Sequence, residues 1–284
     1  MYKLLCAILV ISFLSLSAGD IKIDDIKART TQPEPEVALY FPENPRIPVL
    51  AYHSVMPERF YYPTNVNNPW ILHADTFYQQ MRYLYENNFT PLTSEMLINF
   101  LFYDGGLPTN PIIITFDDGY LDNALFAAPI LREFGFTAMQ FLITSYIPEQ
   151  PQRMRAWPTP FMSHAEIYDT MDVFEFGSHT HDMHRNANGA PLLTTSSVAN
   201  IRADILQSFE YPLTMLTGFA YPFGRHSTNA MRALQDVGIL FAFTTQEAYL
   251  TRTTNPMLIP RFQVTGGPHG WCMEHFSDVV WSRR

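Results

Sequence analysis

Apolar runs of strand length alternate with apolar residues at helical spacing along most of this chain. In the segment 74–88, residues such as Phe77 and Met81 recur at the interval that places them on one face of a helix. The segment 111–116, with the sequence PIIITF, is instead a continuous apolar run of the kind that forms a buried strand. This alternation within one chain favours a mostly parallel α/β sheet or barrel.

The same pattern gives the expected order of elements. The predicted strands are 47–55, 111–116, 136–144, 173–180, 218–224, 240–245 and 258–264. The predicted helices are 74–88, 93–103, 123–135, 163–171, 196–210 and 229–238. No clear edge strand stands out, which favours a barrel. A chain of 284 residues that is 47% hydrophobic can bury one large core, so a single domain is expected.

The first 19 residues have the layout of a secretory signal peptide. Lys3 is the only early charge, and an apolar run follows over 4–16 before small residues close the segment. We expect export, with the leader either removed or kept as an N-terminal anchor; the run is short for a membrane span. Residues 20–45 are charged and contain prolines, which is typical of an extension or linker. The folded domain is expected over 46–284.

Charge and cysteine content exclude several kinds of protein. The chain has 18 Lys and Arg against 27 Asp and Glu, a net charge of −9, and it contains no basic run. Nucleic acid is therefore excluded as a partner, because phosphate binding needs a basic surface. Only two cysteines are present, and removal of the leader leaves Cys272 alone. An internal disulfide and a cysteine-based zinc site are excluded by that count.

Two adjacent carboxylates, Asp117 and Asp118, directly follow the apolar strand 111–116. Burying two like charges costs several kcal/mol unless something neutralises them. A divalent metal would do so if one aspartate were a ligand and the other stayed free to accept a proton from water. On its own, the sequence DDG after a strand is also typical of a simple turn.

Histidines that could complete a metal site follow a later strand, in the segment GSHTHDMH. His179 and His181 share a face of an extended segment, and a turn could return His184 to the same point. The spacing leaves open which two bind, and a polar surface loop is the alternative interpretation. His53 also ends a predicted strand, where it could either cap the strand or act in catalysis. Because catalytic groups of α/β barrels collect at the carboxyl ends of strands, these segments are expected to converge.

Three motifs, TFDDG, SHTHDMH and YPFG, resemble successive motifs of the polysaccharide deacetylases related to the nodulation-type chitooligosaccharide deacetylase. The resemblance covers about residues 46 to 265. It implies a distorted (β/α) barrel of about seven strands and metal-dependent hydrolysis of N-acetyl, sometimes O-acetyl, groups on glycans. Met183 gives the histidines a spacing of five, and VLAYHSV precedes TFDDG. Both departures resemble the circularly permuted, exported deacetylases of poly-β-1,6-N-acetylglucosamine.

The resemblance also implies a role for each site residue. Asp117 would be the catalytic base, and Asp118, His179 and His184 the metal ligands. His53 would be the general acid, with His269 and His275 as fallback candidates. Arg261 is expected to replace the arginine that contacts the base in the common form. The YPFG motif, Tyr221, Pro222 and Phe223, would contribute to oxyanion and substrate binding, chiefly through the backbone N–H of Phe223.

Several alternatives remain at this level. The same barrel could be a catalytically silent carbohydrate-binding protein, or a different metallohydrolase such as a phosphoesterase, which usually needs more carboxylates or a second metal. The cofactor is expected to be one divalent ion. Two imidazoles and one carboxylate favour zinc, and cobalt and nickel are the alternatives. The partner would be an acetylated polysaccharide: poly-N-acetylglucosamine, peptidoglycan or chitin fragments. We expect a secreted or extracytoplasmic monomer that could associate with the membrane or cell wall.

Overall fold

The computed structural model describes residues 39–282, and short strands dominate its centre. In chain order these are β1 Val49–Tyr52, β2 Ser54–Met56, β3 Ile71–His73, β4 Thr90–Pro91, β5 Pro111–Phe116, β6 Ala138–Leu142, β7 Phe174–Ser178, β8 Asn186–Ala187, β9 Ala190–Pro191, β10 Gly218–Ala220, β11 Phe241–Phe243 and β12 Phe262–Gln263. Of the four longest strands, β1 and β6 are buried along their whole length and β5 and β7 at all but one residue, as the continuous apolar runs predicted.

Helices connect most of the strands. They are α1 Ala74–Glu86, α2 Ser94–Phe102, α3 Ala128–Glu133, α4 His164–Asp169, α5 Leu192–Thr195, α6 Val198–Ser208, α7 Thr228–Asp236 and α8 Met273–Val280. Hydroxyl side chains cap several of them: those of Thr93, Ser197 and Ser227 accept from the backbone N–H three residues later at the starts of α2, α6 and α7. These caps explain why the helices begin where they do.

Seven strands form one curled parallel sheet, in the order β11-β10-β7-β6-β5-β1-β12, and β4 pairs with β5 beside it. Ile259, just before β12, forms a parallel bridge with Phe243 of β11. The two ends of the sheet are therefore joined through the segment that contains β12. The distorted (β/α) barrel expected from the sequence is confirmed.

The first predicted strand, 47–55, is divided in the structure. β1 ends at Tyr52, and after His53 the chain continues as β2, which pairs with β3 instead of the barrel. Neither β3 nor the hairpin of β8 and β9 was predicted, because these strands are too short to show the alternation of apolar and polar residues that indicates a strand. The break at His53 places this residue where the chain leaves the barrel.

Three helices differ from the sequence prediction, and one of them is the single-turn helix α5, Leu192–Thr195, which was not predicted. The expected helix 123–135 opens with a π-helical turn, Asn123–Ala127, before α3. Pro129 has no N–H to donate back to residue 125, and the wider turn precedes it. Helix α8 was not predicted, although its buried residues Phe276, Val279 and Val280 lie at helical spacing.

The predicted leader, 1–19, and most of the predicted linker, 20–45, lie outside the described residues. At the described end of the linker, Tyr40 forms an antiparallel bridge with Leu107. The domain boundary at residue 46 stays a prediction. Among residues 39–282, no helix is long and apolar enough to cross a membrane. Cys272 is exposed and unpaired in this part of the chain.

An aromatic cluster packs directly beneath the ends of two neighbouring strands. Phe77 of α1 meets Tyr52 edge-on, with ring centroids 5.1 Å apart, and Phe116 at 5.7 Å. Tyr52 and Phe116 are themselves stacked at 5.2 Å. All three side chains are fully buried. Tyr52 immediately precedes His53, and Phe116 immediately precedes Asp117. The cluster therefore fixes the positions at which the side chains of His53 and Asp117 leave the sheet.

Truncation of Phe77 tests whether the aromatic cluster stabilises the ends of β1 and β5. We expect Phe77→Ala to lower the free energy of unfolding by about 3–5 kcal/mol, because it leaves a cavity under both strands. Gln79→Ala on the exposed face of the same helix should change it by less than about 0.5 kcal/mol. Urea unfolding followed by circular dichroism measures both. Equal unfolding midpoints for the two variants would contradict the proposed role of the cluster.

Candidate active site

A cavity of about 330 Å³ opens at the carboxyl ends of the barrel strands. Its lining residues come from the segments that follow β1, β5, β7, β10 and β11, from the loop before β3 and from the last residue of β12. They are His53, Trp70, Asp117, Asp118, Tyr120, His179, His184, Phe223, Gly224, Thr245 and Gln263. The four segments that the sequence analysis singled out thus meet at one point, as a barrel requires.

A tight turn after β5 separates the two aspartates. Asp118 has φ of +71° and Gly119 of +82°, so the backbone enters the left-handed region that Asp tolerates and Gly favours. A Cβ on Gly119 would lie 2.7 Å from the side chain of Leu142. Both conformation and space therefore call for glycine here. The turn aims Asp117 and Asp118 at different partners.

Asp118 faces two imidazoles. Its Oδ1 lies 3.6 Å from Nε2 of His179 and 3.4 Å from Nε2 of His184. The potential ligand atoms of the three residues all lie within 4.8 Å of one another. Oδ1 of Asp118 is buried and has no hydrogen-bond partner among the described residues. An orphaned carboxylate oxygen facing two ring nitrogens is the donor set of a mononuclear divalent metal site, so the residues fit such an ion.

The environment of His179 prepares it as a ligand. Its Nδ1–H donates to the backbone carbonyl of Ala220 at 2.7 Å, which leaves the lone pair of Nε2 facing Asp118. Burial lowers the pKa of His179 to about 4, although the Asp117 carboxylate acts in the opposite direction. The ring is therefore neutral at physiological pH, and a neutral imidazole is the form that coordinates metal.

His181, the open alternative among the histidines, lies away from this cluster. Its Nδ1 is 3.0 Å from the hydroxyl of Thr144, and its ring packs 5.6 Å from that of Tyr211. The intervening Thr180 has φ of +78°, which turns the chain between the first two histidines. Sequence spacing could not reveal this turn. The structure brings together His179 and His184.

Asp204 of α6 holds the turn in place, and the sequence analysis missed it. Its carboxylate oxygens accept from the backbone N–H groups of His181 and Asp182, each at 2.8 Å. The residue is buried between Ile201 and Ile205. A charged residue on the apolar face of a predicted helix was the signal available, because such a group needs a fixed partner.

Asp117 is paired with Arg261 in the barrel interior. Nη1 and Nη2 of the fully buried arginine donate to its two carboxylate oxygens at 2.8 and 2.7 Å. Burial by itself raises the pKa of Asp117, but the charge and hydrogen bonds of Arg261, together with His179 and His53, outweigh it and hold that pKa well below its ordinary value. Asp117 is thus ionised at neutral pH although its side chain is nearly inaccessible.

His53 follows β1, the strand that neighbours β5, and its ring lies 4.6 Å from that of Trp70. Its Nδ1 is buried without a hydrogen-bond partner among the described residues. Two residues that the sequence analysis missed tie its backbone to that of Asp117. Asn123 donates to the carbonyl of His53 at 2.8 Å and to Gln140 at 3.2 Å, and Gln140 donates to the carbonyl of Asp117 at 3.3 Å.

Tyr120 is a further cavity residue that the sequence analysis did not name. Burial strongly raises its pKa, and the nearby Asp118 carboxylate raises it further through charge and a hydrogen bond. Its ring packs against Trp157 and Phe161 at 5.2 and 5.3 Å. Its hydroxyl therefore stays protonated and can donate to Asp118 or to a bound ligand.

The YPFG motif contributes unequally to the cavity. Phe223 has φ of +57°, is 44% exposed, and lies with its ring 4.5 Å from that of His184. Tyr221 and Pro222 are buried and do not line the cavity. A Cβ on Gly224 would overlap the side chain of Thr245. Only Phe223 and Gly224 are thus in contact with the cavity.

The two fallback histidines lie elsewhere. His269 is exposed, in the loop before α8, and His275 packs on α8 with its ring 4.4 Å from that of Trp271. Neither lines the cavity, whereas His53 does. The geometry therefore favours His53 among the three.

Known proteins resemble this chain in sequence and in fold. The family model for polysaccharide deacetylase matches residues 104–242. The poly-beta-1,6-N-acetyl-D-glucosamine N-deacetylase of Staphylococcus aureus is 28% identical over 198 residues, which cover 66% of this chain and 66% of that protein.

Two solved structures share the fold. The Streptococcus pyogenes deacetylase PplD in complex with acetate matches with a TM-score of 0.71 at 19% identity, covering 83% of this chain and 98% of that one. IcaB from Ammonifex degensii matches with a TM-score of 0.66 at 20% identity, covering 84% and 97%. At such identities the structural likeness establishes the fold alone.

Metal binding by the three-residue cluster is directly testable. We expect Asp118→Ala and His179→Ala to lower the affinity for Zn²⁺ by at least about 100-fold, because each removes a ligand outright. His181→Ala is the matched control and should bind nearly normally. Titration with a chelating indicator measures all three. Normal affinity in the first two variants, or its loss in His181→Ala, would overturn the ligand assignment.

Proposed function

The chain belongs to the polysaccharide deacetylase family, and on that premise we propose that it is an exported, metal-dependent hydrolase that removes N-acetyl groups from a poly-N-acetylglucosamine-like glycan. One observation carries the proposal: the cluster of Asp118, His179 and His184 shares a cavity with the ionised Asp117 and with His53. A binding protein needs no such set of ionisable groups around the position of a reacting atom.

Asp118, His179 and His184 would hold one divalent ion. Two imidazoles and one carboxylate suit Zn²⁺, with Co²⁺ and Ni²⁺ as alternatives. When bound, such an ion acts as a Lewis acid on the acetyl carbonyl and on water. Three protein ligands leave open positions, which is the arrangement of catalytic rather than structural sites.

Asp117 is proposed as the general base. Its low pKa makes it a weak base, but it guarantees that the carboxylate is ionised at neutral pH and able to receive a proton from the attacking water. Arg261 is a positioning residue in this scheme. Its two parallel hydrogen bonds fix the carboxylate plane, so that a proton is received without reorientation of the side chain.

His53 is proposed to protonate the leaving amine. It lines the same cavity as Asp117, and an imidazole can donate a proton near neutral pH. The backbone N–H of Phe223 is the proposed donor to the oxyanion of the tetrahedral intermediate. The exposed ring of Phe223 would then contact the sugar that carries the acetyl group.

Export and substrate identity rest on sequence and similarity. The signal-peptide layout of residues 1–19 supports a secreted or extracytoplasmic location, with or without a retained anchor. The staphylococcal relative's name supports poly-β-1,6-N-acetylglucosamine as the substrate. Peptidoglycan, chitin fragments and O-acetyl esters are the competing substrates. We propose a monomer, since one chain contains every residue of the site.

Acetate release from these acetylated glycans tests the function. We expect release from poly-N-acetylglucosamine that a chelator abolishes and added Zn²⁺ restores. Asp117→Asn is the matched variant: it should keep the metal and lose about 10²- to 10⁴-fold in turnover, because the proton acceptor is removed. The buried Arg261 also loses its counter-charge in this variant, so circular dichroism must show that the variant is folded at the assay temperature. No release from any glycan by the fully metallated protein would refute the proposal. Loss of metal in Asp117→Asn would show that both aspartates are ligands.

Substitution of His53 separates the acid from the other groups. We expect His53→Ala to keep its metal and to slow amide hydrolysis by about 10²- to 10⁴-fold, because an amine leaves poorly unless it is protonated. Hydrolysis of an activated acetate ester should slow much less, since its leaving group needs no proton. Comparison of kcat on the two substrates is the measurement. Equal losses on both, or none on either, would exclude His53 as the acid.

A further inference from the structure

A second cavity, of about 390 Å³, lies beside the catalytic one. Segments around β2 and β3 and the loop before α8 form its walls. Its lining residues are Glu58, Tyr61, Tyr62, Val66, Leu72, His73, Thr76, Thr265, Gly266, Gly267, Pro268, Gly270, Trp271 and Cys272. None of these residues has a place in the proposed catalytic steps.

Two chain segments contribute residues to both cavities. On one segment, Trp70 lines the catalytic cavity and Leu72 lines the second one. On the facing segment, Gln263 lines the catalytic cavity and Thr265 lines the second one. Two residues of extended chain span about 7 Å. The two segments are held together where Gly266 N–H donates to the carbonyl of Pro69 at 2.9 Å. The two cavities therefore lie next to each other along these segments, about two residues apart, a spacing comparable to one sugar unit of a polymer.

The lining of the second cavity suits a cationic sugar. Tyr62 is 63% exposed, and the half-buried Tyr61 and Trp271 offer further ring surface. Aromatic rings pack against the C–H faces of sugars and attract cations to their own faces. Glu58 contributes a carboxylate, and no lysine or arginine is among the lining residues in the described part of the chain.

Two carboxylates place negative charge near the second cavity. Burial raises the pKa of Tyr61, and the carboxylates of Glu58 and Asp75 raise it further. Those two charges therefore act on a side chain of this cavity. A ligand with an ammonium group would be favoured there over a neutral one of the same shape.

We infer that the cavity formed by Glu58, Tyr62 and Trp271 binds a second sugar unit of the same polysaccharide chain, one that is already deacetylated and carries an ammonium group. This inference rests on the proposed function, because the reaction itself generates such units. It makes the preferred substrate a partly deacetylated polymer, in which an N-acetylated unit reacts while a glucosamine unit occupies the neighbouring cavity.

Substrate series with and without a glucosamine unit test the inference. The unaltered protein should show a KM about fivefold lower for partly deacetylated oligosaccharides than for fully acetylated ones of equal length. Glu58→Gln should abolish that difference by raising the KM for the partly deacetylated oligosaccharides. Tyr62→Ala should raise KM for all oligosaccharides relative to a single acetylated sugar. Tyr168→Ala, an equally exposed tyrosine outside both cavities, is the control and should preserve the difference.

Alkylation of Cys272 gives a readout that does not depend on turnover. The thiol lines the second cavity and is exposed, and in a Cys6→Ser background it is the only cysteine. Oligosaccharides of glucosamine should slow its reaction with iodoacetamide, and Tyr62→Ala should remove that protection.

The outcomes separate the two proposals. Acetate release without a KM difference and without protection of Cys272 would overturn the second sugar site and leave the deacetylase function intact. No acetate release from any glycan would refute the function itself. Protection that persists in both Tyr62→Ala and Glu58→Gln would place the sugar elsewhere and would also overturn the inference.

Discussion

The buried ion pair between Arg261 and Asp117 sets the conditions for the rest of the site. Arg261 is wholly enclosed, and besides Asp117 it donates to Thr115 and to the carbonyl of Thr244. These contacts join β5, the end of β11 and the segment that closes the barrel. Removing one partner of a buried pair typically costs about 3–5 kcal/mol, because the other charge is left uncompensated. The pair thus links the charge of the proposed base to the closure of the fold.

That pairing also resolves the conflict between two adjacent carboxylates. If both pointed into one space, their repulsion would raise the pKa of one of them and leave it protonated. The turn with positive φ at Asp118 and Gly119 prevents this by directing Asp117 toward the arginine and Asp118 toward the imidazoles. Each carboxylate then has cationic or metal-binding partners of its own. The steric limit at Leu142 explains why the turn depends on glycine at position 119.

Features that depend on hydrophobic periodicity or on a motif could be predicted from the sequence. Features that depend on a single backbone angle could not. Seven parallel strands followed from continuous apolar runs, and the convergence of His53, Asp117 and His179 followed from strand ends. The choice between His181 and His184 did not, because it depends on the positive φ of Thr180 and on Asp204, 20 residues after His184. Such long-range hydrogen bonds leave no periodic signal. Helix α8 is different, since its apolar spacing was present and was overlooked.

The departure of the chain from the barrel at His53 connects the catalytic cavity with its surroundings. β2 pairs with β3 outside the sheet, and the segment between them supplies Trp70 against His53 and Tyr62 to the neighbouring cavity. Asp122 anchors this excursion: its carboxylate accepts from the hydroxyl of Ser54 at 2.6 Å and from the N–H of Val55 at 3.3 Å. Because Asp122 and Asn123 follow Asp117 on the same turn, one short segment positions both walls of the cavity. The space between the proposed base and acid therefore depends on the local backbone geometry after β5, together with the contacts that Arg261 makes with Asp117 and Trp70 makes with His53.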